Sequence, residues 1–166
     1  MKTAPFFEQY TALIEKLDVR IDELQNSQIK HIHCKKGCAA CCMNFGILPV
    51  EYYVISQAIA EQNIHVENDK QCKFLNNNVC TIYAHRPIIC RTQGLANVYF
   101  NEETGMWELS LCEQNFTDIS DDFFTEEQCL NMGEINEMLA TINRDFLDAN
   151  KETLSNLPAL IDVNEL

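Results

Sequence analysis

The sequence predicts an α+β fold that is mostly α-helical, with helices packed around a cysteine-rich core and one or two short β-hairpins. Three observations carry this prediction. Apolar residues recur at helical spacing near both ends of the chain. Turn-forming residues punctuate the middle. Eight of the nine cysteines fall between positions 34 and 112.

At the N-terminal end, Tyr10, Ile14, Leu17, Ile21 and Leu24 follow spacings of four and three. Such spacing puts them on one face of an amphipathic helix over residues 5–30. Thr3 or Ala4 precedes it, and Pro5 suits its first turn. A face of this kind needs a partner helix. A cysteine-rich loop follows over 33–45, and Pro49 then opens a second helix over 50–62, with Tyr52, Ile55, Ala58 and Ile59 facing inward. Residues 72–75 and 79–83 read as extended pieces joined by Asn76-Asn77-Asn78, a turn composition. Pro87 starts a helical turn that carries Cys90 and Arg91. Residues 95–100 and 106–111 predict a second hairpin with Gly105 in its loop. The remainder reads as helical, with Ser120 as a cap and Ile135, Leu139, Ile142 and Phe146 as a buried stripe. Cys129 is expected on a helix as a core residue, and residues 151–166, with Pro158, as a loosely packed tail.

One domain spans 1–166 in this reading, with an N-terminal helix (5–30), a cysteine-rich core (31–115) and a C-terminal helical region (116–166). No internal repeat or low-complexity tract divides it. The chain is 46% hydrophobic, too rich for disorder. No run reaches the roughly 18–20 apolar residues of a membrane helix. Charged residues follow Met1 too closely for a signal core, so a cytoplasmic location is expected.

Nine cysteines in a chain expected in a reducing compartment point to metal binding or redox work rather than to a disulfide framework. The odd count agrees. Charge is uneven. Residues 30–91 hold seven basic and four acidic residues, a balance of +3, within a chain of net charge −13. All four histidines lie there too. Cations near thiols favour the thiolate, which is the ligating form. The acidic remainder excludes nucleic acid as an expected partner, because phosphate binding needs a basic surface.

Cys34-x3-Cys38-x2-Cys41-Cys42 is the strongest signal. Four thiols within nine residues do not suit core packing, and a tight loop brings sulfurs close enough to share a metal. Gly37 helps that loop turn. Adjacent Cys41 and Cys42 point in different directions, so one centre need not use both. Cys72, Cys80, Cys90 and Cys112 could complete a site by fold-back of the hairpin. Eight sulfurs suffice for two four-ligand sites, or for one site and spare thiols. Arg86 and Arg91 flank Cys90 and could form hydrogen bonds around a negatively charged centre. Arg91 could instead bind an anionic substrate. His31, His33 and His85 are expected to face solvent rather than ligate, and His65 to be incidental in a polar loop.

Taken together, Cys34-x3-Cys38-Ala39-Ala40-Cys41-Cys42, Cys72-Lys73-Phe74-Leu75, Cys80-Thr81-Ile82-Tyr83 and Arg86-Pro87-x2-Cys90-Arg91 resemble the YkgJ-type cysteine-cluster family. That family is described as a zinc- or iron-chelating domain, and sometimes as an iron–sulfur oxidoreductase. The resemblance covers about residues 34–112. It implies that Cys34, Cys38, Cys41, Cys42, Cys72, Cys80 and Cys90 belong to the family's cysteine set, with Cys112 matching a later one. The C-x3-C-x2-C spacing also occurs in radical S-adenosylmethionine enzymes. Those enzymes usually carry an aromatic residue where this chain has Ala40, and they need a large barrel.

Three functions follow as expectations. An iron–sulfur cluster would serve electron transfer with a protein partner. Structural zinc would support an interaction module without redox chemistry. Reversible oxidation at Cys41-Cys42 would make a thiol sensor. Thiolates accept both zinc and iron–sulfur clusters, so ligand softness leaves the metal open. No arrangement of nucleophile and base, phosphate-cradling loop or paired carboxylates assigns a catalytic residue.

Overall fold

The computed structural model describes residues 5–62, 64, 66 and 71–166. The expected cap at Thr3 or Ala4, and His65, lie outside the described residues. The architecture is α+β. Helix α1 (Pro5–Ser27) buries Phe6, Tyr10, Leu13, Leu17, Ile21 and Leu24. Ile14 sits at the margin of this stripe, half-buried, and Leu13 takes its place in the core. The helix stops three residues before its predicted end. There the Gln28 side chain, fully buried, donates to the carbonyl of Gln128 at 2.8 Å and fixes the exit of the chain.

The partner that α1 requires is α4 (Met132–Ala149), whose buried Ile135, Leu139, Ile142 and Phe146 are the predicted stripe. Phe6 and Phe146 meet edge to face with centroids 5.4 Å apart. Asn131 caps α4 by accepting from the N–H groups of Gly133 and Glu134. Helix α2 (Pro49–Gln62) joins the same core through Val50. The Val50 N–H donates to Asn143 of α4 at 3.0 Å.

Strand β1 (Gly46–Ile47) runs into α2. The first hairpin is β2 (Leu75–Asn76) and β3 (Val79–Cys80), antiparallel with Leu75 opposite Cys80. Asn77 and Asn78 both have positive φ, 49° and 61°. Two such residues make the mirror-image turn that matches strand twist, and Asn tolerates it well. A short helix α3 (Ile88–Arg91) follows Pro87 as expected. The second hairpin, β4 (Asn97–Asn101) and β5 (Met106–Ser110), turns through Gly105 at φ +66°. Strand β6 (Leu130–Asn131), absent from the sequence reading, adds to β4 in parallel.

Two expectations need correction. Residues 116–131 are not helical. They form two single 3₁₀ turns (Asp121–Phe123 and Glu126–Gln128) followed by β6. Ser120 accepts from the Phe123 N–H in the first of these turns rather than starting a long helix. Cys129 is buried, as expected of a core residue, but is extended and packs beside Ala96 and Phe116. The C-terminal segment is also not a loose tail. After the short α5 (Lys151–Leu154), β7 (Ile161–Asp162) pairs antiparallel with β1. Ile161 and Val163 are buried. Val163 joins Ile47, Ile55, Phe74 and Ile82 in a second small core beneath the first hairpin. Alternation at Ile161 and Val163 is the period of a half-buried strand. No helix among the described residues is long and apolar enough to cross a membrane.

Candidate metal centre

All nine cysteines are free thiols. Cys34, Cys38, Cys41, Cys42, Cys72, Cys80 and Cys90 line one cavity of about 700 Å³. Separate segments deliver them: the loop before β1, the β2–β3 hairpin and α3. Cys112 is not on the cavity wall. It is near enough to Cys34 to add to the rise that burial causes in that thiol. Among the described residues, no three Cys, His, Asp or Glu side chains are gathered closely enough to hold one ion. The thiols therefore face a shared space rather than a single point.

Side chains from elsewhere in the fold hold each of these segments. Asn115, nearly fully buried, donates its amide to the Cys34 sulfur at 3.2 Å and to the Gly94 carbonyl at 2.6 Å. The same side chain accepts from the His33 N–H at 2.8 Å. Gly94 has φ +90°, and a Cβ there would lie 2.9 Å from the Cys34 sulfur, so only glycine fits. Asn164, in the C-terminal segment, grips both neighbours of Cys72. It accepts from the Lys73 N–H at 3.0 Å and donates to the Gln71 carbonyl at 3.2 Å. Glu51, buried in the first turn of α2, accepts from the Ile88 N–H at 2.8 Å and so holds the turn that carries Cys90. Asn115, Asn164 and Glu51 were not singled out by sequence. Each is a lone polar residue with no spacing pattern, and only tertiary structure gives it a partner.

Burial is the largest influence on three of the thiols that line the cavity. It pushes Cys34 and Cys80 up, and Cys90 to about 12, where the nearby Cys72 and Cys80 add to the effect. Cys41 departs from this pattern. The Cys42 thiol donates to its sulfur and lowers it to about 6, with Arg86 helping, while Cys42 rises in return.

Arg86 lines the cavity, stacks on the Tyr83 ring at 3.7 Å, and donates to the Tyr83 and Cys90 carbonyls. Arg91 also reaches the wall but is largely spoken for. It is buried, bonds both Asp18 carboxylate oxygens at 2.8 Å, and donates to the Arg86 and Ala84 carbonyls. That network ties α3 to α1 and leaves little for an anionic substrate. His31 bonds Asp118, His85 bonds Gln62, and His33 is exposed. None of these three lines the cavity.

The donor set fits a metal that prefers sulfur. It offers free thiols without competing imidazoles, converging on one cavity with cationic side chains on its wall. Comparison with known families agrees. Residues 33–113 match the CxxCxxCC family model, described as "Putative zinc- or iron-chelating domain". That segment belongs to this cysteine-cluster family, as the motif predicted. No curated protein and no solved structure matches the chain.

Proposed function

We propose that this protein holds a metal centre on the cysteine thiolates of the cavity, as an iron–sulfur cluster serving electron transfer with a protein partner in the cytoplasm. The observation that supports it is the convergence of seven thiols, from three separate segments, on one cavity. A cluster bound there would supply one-electron chemistry at a potential set by its surroundings. The chain's own residues would provide the ligands from among Cys34, Cys38, Cys41, Cys42, Cys72, Cys80 and Cys90, with Cys112 a further candidate off the wall, exclude water with Phe74 and Ile82, and place the Arg86 cation at the wall. Arg91 would hold the Cys90 turn rather than touch the centre.

One observation favours a second reading, structural zinc. Strands β1, β2, β3 and β7 are two residues each, and such pairs gain from an external brace. Anaerobic purification with iron, zinc and sulfide analysis and a visible spectrum separates the two. Iron with matching sulfide and a band bleached by dithionite is the expected result. Zinc with a featureless spectrum, persisting after reconstitution with iron and sulfide, selects the structural reading. A chain that retains no metal under either condition overturns both.

A further inference from the structure

The second hairpin reaches past the core it grows from. Side chains alternate faces along a strand, so Val98 and Phe100 of β4 share a face, with Leu109 and Trp107 of β5 opposite them. Val98 and Leu109 pack against the small core of Ala96, Phe116 and Cys129. Phe100 and Trp107, two residues further out, lie outside that core. Their rings meet edge to face at 5.7 Å, yet Phe100 is 48% exposed and Trp107 61%. A cross-strand aromatic pair steadies a hairpin. Here about half of the area that two such rings can bury is still left in water.

Strand β5 is also a free edge. The strand order is β5-β4-β6, so among the described residues one side of Met106–Ser110 has no strand beside it. Natural sheets blunt such edges with lysine, proline or a bulge. β5 has neither Lys nor Pro and pairs with β4 residue for residue. Its one charged residue is Glu108, on the face opposite Trp107. The Tyr99 hydroxyl donates to that carboxylate at 2.8 Å, and the Asn101 amide donates to it as well. Glu102 and Glu103 stand exposed in the turn. Among the described residues none of these three carboxylates has an ion-pair partner. The flanking sequence supplies no cation: residues 92–143 contain eleven acidic side chains and no Lys, Arg or His.

We propose that β5 is a docking edge for an extended, cationic segment of a partner protein, which joins the sheet as a further strand. Main-chain pairing along an edge supplies affinity, and alternate side chains supply specificity. On one face the segment covers Phe100 and Trp107 with apolar side chains. On the other its Lys or Arg residues meet Glu108, while Glu102 and Glu103 draw the cationic segment in. A second copy of this chain is a poor occupant. Antiparallel pairing of two β5 edges about their middle residue sets Glu108 against Glu108, and each chain carries a net charge of −13. Strand β4 follows Gly94, which lies against the Cys34 sulfur, so a docked partner is held at that end of the cavity. The assignment does not depend on which metal the cavity takes.

Trp107 is the chain's single tryptophan and reports on the edge directly. The full chain, as purified, is titrated with a capped peptide of alternating lysine and valine while Trp107 emission is followed. A saturable blue shift that weakens with added salt is the expected result. The same residues in block order, lysines and then valines, bind about tenfold more weakly, because one strand then presents only one kind of contact at a time. A peptide of alternating glutamate and valine gives no shift. Combining Glu102→Gln, Glu103→Gln and Glu108→Gln weakens the lysine–valine peptide by about tenfold and leaves the emission of the free chain unchanged. No blue shift with the lysine–valine peptide, equal affinity for the block peptide, or unchanged affinity in the folded triple variant overturns the proposal. Should that variant misfold by circular dichroism, the comparison of the peptides decides. A free chain that sediments as a dimer with Trp107 already shielded puts a second copy on the edge and also overturns it. A shift with neutral phosphatidylcholine vesicles and none with the peptide does the same in favour of a lipid surface. The titration reads no metal, so its failure leaves the metal-centre reading standing.

Discussion

Asn115→Ala tests whether one buried amide positions the Cys34 end of the cavity. The side chain makes three hydrogen bonds: to the Gly94 carbonyl, to the Cys34 sulfur and from the His33 N–H. Truncation leaves the buried Gly94 carbonyl without its partner, at about 1–3 kcal/mol. The His33 N–H is partly buried, so water restores some of its bonding and the loss there is about 1 kcal/mol. Together the expected destabilisation is about 2–4 kcal/mol. Because the urea slope of small proteins is about 1–3 kcal/mol per molar, the unfolding midpoint falls by about 1–2 M with the slope unchanged. Cys34 should also alkylate faster because its loop loses an anchor and opens to reagent, an effect that outweighs the smaller thiolate fraction left when the amide donor is gone. Asn115→Asp, which keeps an acceptor for the His33 N–H but offers no amide to sulfur, should recover part of the stability and none of the Cys34 protection. A stability loss under about 0.5 kcal/mol for Asn115→Ala, taken as the midpoint shift times the urea slope, would refute the anchoring role.

Burial raises the Glu51 carboxyl above the ordinary carboxylate range, so the native state holds that proton more tightly than the unfolded chain does. This contribution is complete below the ordinary range and is lost as pH rises through the native value. Glu51→Gln keeps an acceptor for the Ile88 N–H, so its urea midpoint should decline less across that window; parallel wild-type and variant profiles would contradict this. Val163→Ala removes buried apolar volume beneath the first hairpin and should cost about 2 kcal/mol by denaturant unfolding. It should also expose Cys72 and Cys80 to thiol reagents, and unchanged reactivity would count against the C-terminal segment as their support. Cys129 packs away from the cavity, so Cys129→Ala should leave metal content at the wild-type value while lowering stability by about 1 kcal/mol. Metal lost in proportion would place Cys129 among the ligands.

The elements legible in the sequence are those whose signals are local. The α1 and α4 stripes, the Asn76–Asn78 turn, the Pro87 turn and the Gly105 hairpin each follow from periodicity or turn chemistry within a few residues. Fold-back of Cys72, Cys80, Cys90 and Cys112 toward the C-x3-C-x2-C-C loop is an open possibility in the sequence, and the first three share a cavity with that loop while Cys112 does not line it. What stayed hidden depends on long-range pairing. β6 exists only because β4 offers it an edge, and β7 only because β1 does. Polar residues near Ser120 give the same composition in 3₁₀ turns as at a helix start, so the helix expected there was a misreading of capping chemistry. Gly37 was rightly read as a turn residue, at φ +95°, whereas the tighter constraint falls on Gly94.

The division of labour in the fold explains why thiols can sit in such short elements. Helices α1, α2 and α4 supply the main core and need nothing from the cysteines. The cysteine-bearing segments have little regular structure of their own, with two-residue strands and a four-residue helix. Polar groups fasten each to the scaffold: Asn115 for Cys34, Asn164 for the backbone either side of Cys72, Glu51 for the turn of Cys90, and Arg91 with Asp18 for the join to α1. These groups fix where each segment lies, and at Cys34 the amide also holds the sulfur itself. Cys72 and Cys80 are held by packing as well, against the small core of Phe74, Ile82 and Val163, and close-packed side chains resist movement. This combination of a helical scaffold and polar fastenings produces thiols that face one cavity, with Cys41 and Cys42 hydrogen-bonded to each other and no three ligating side chains among the described residues gathered on one point.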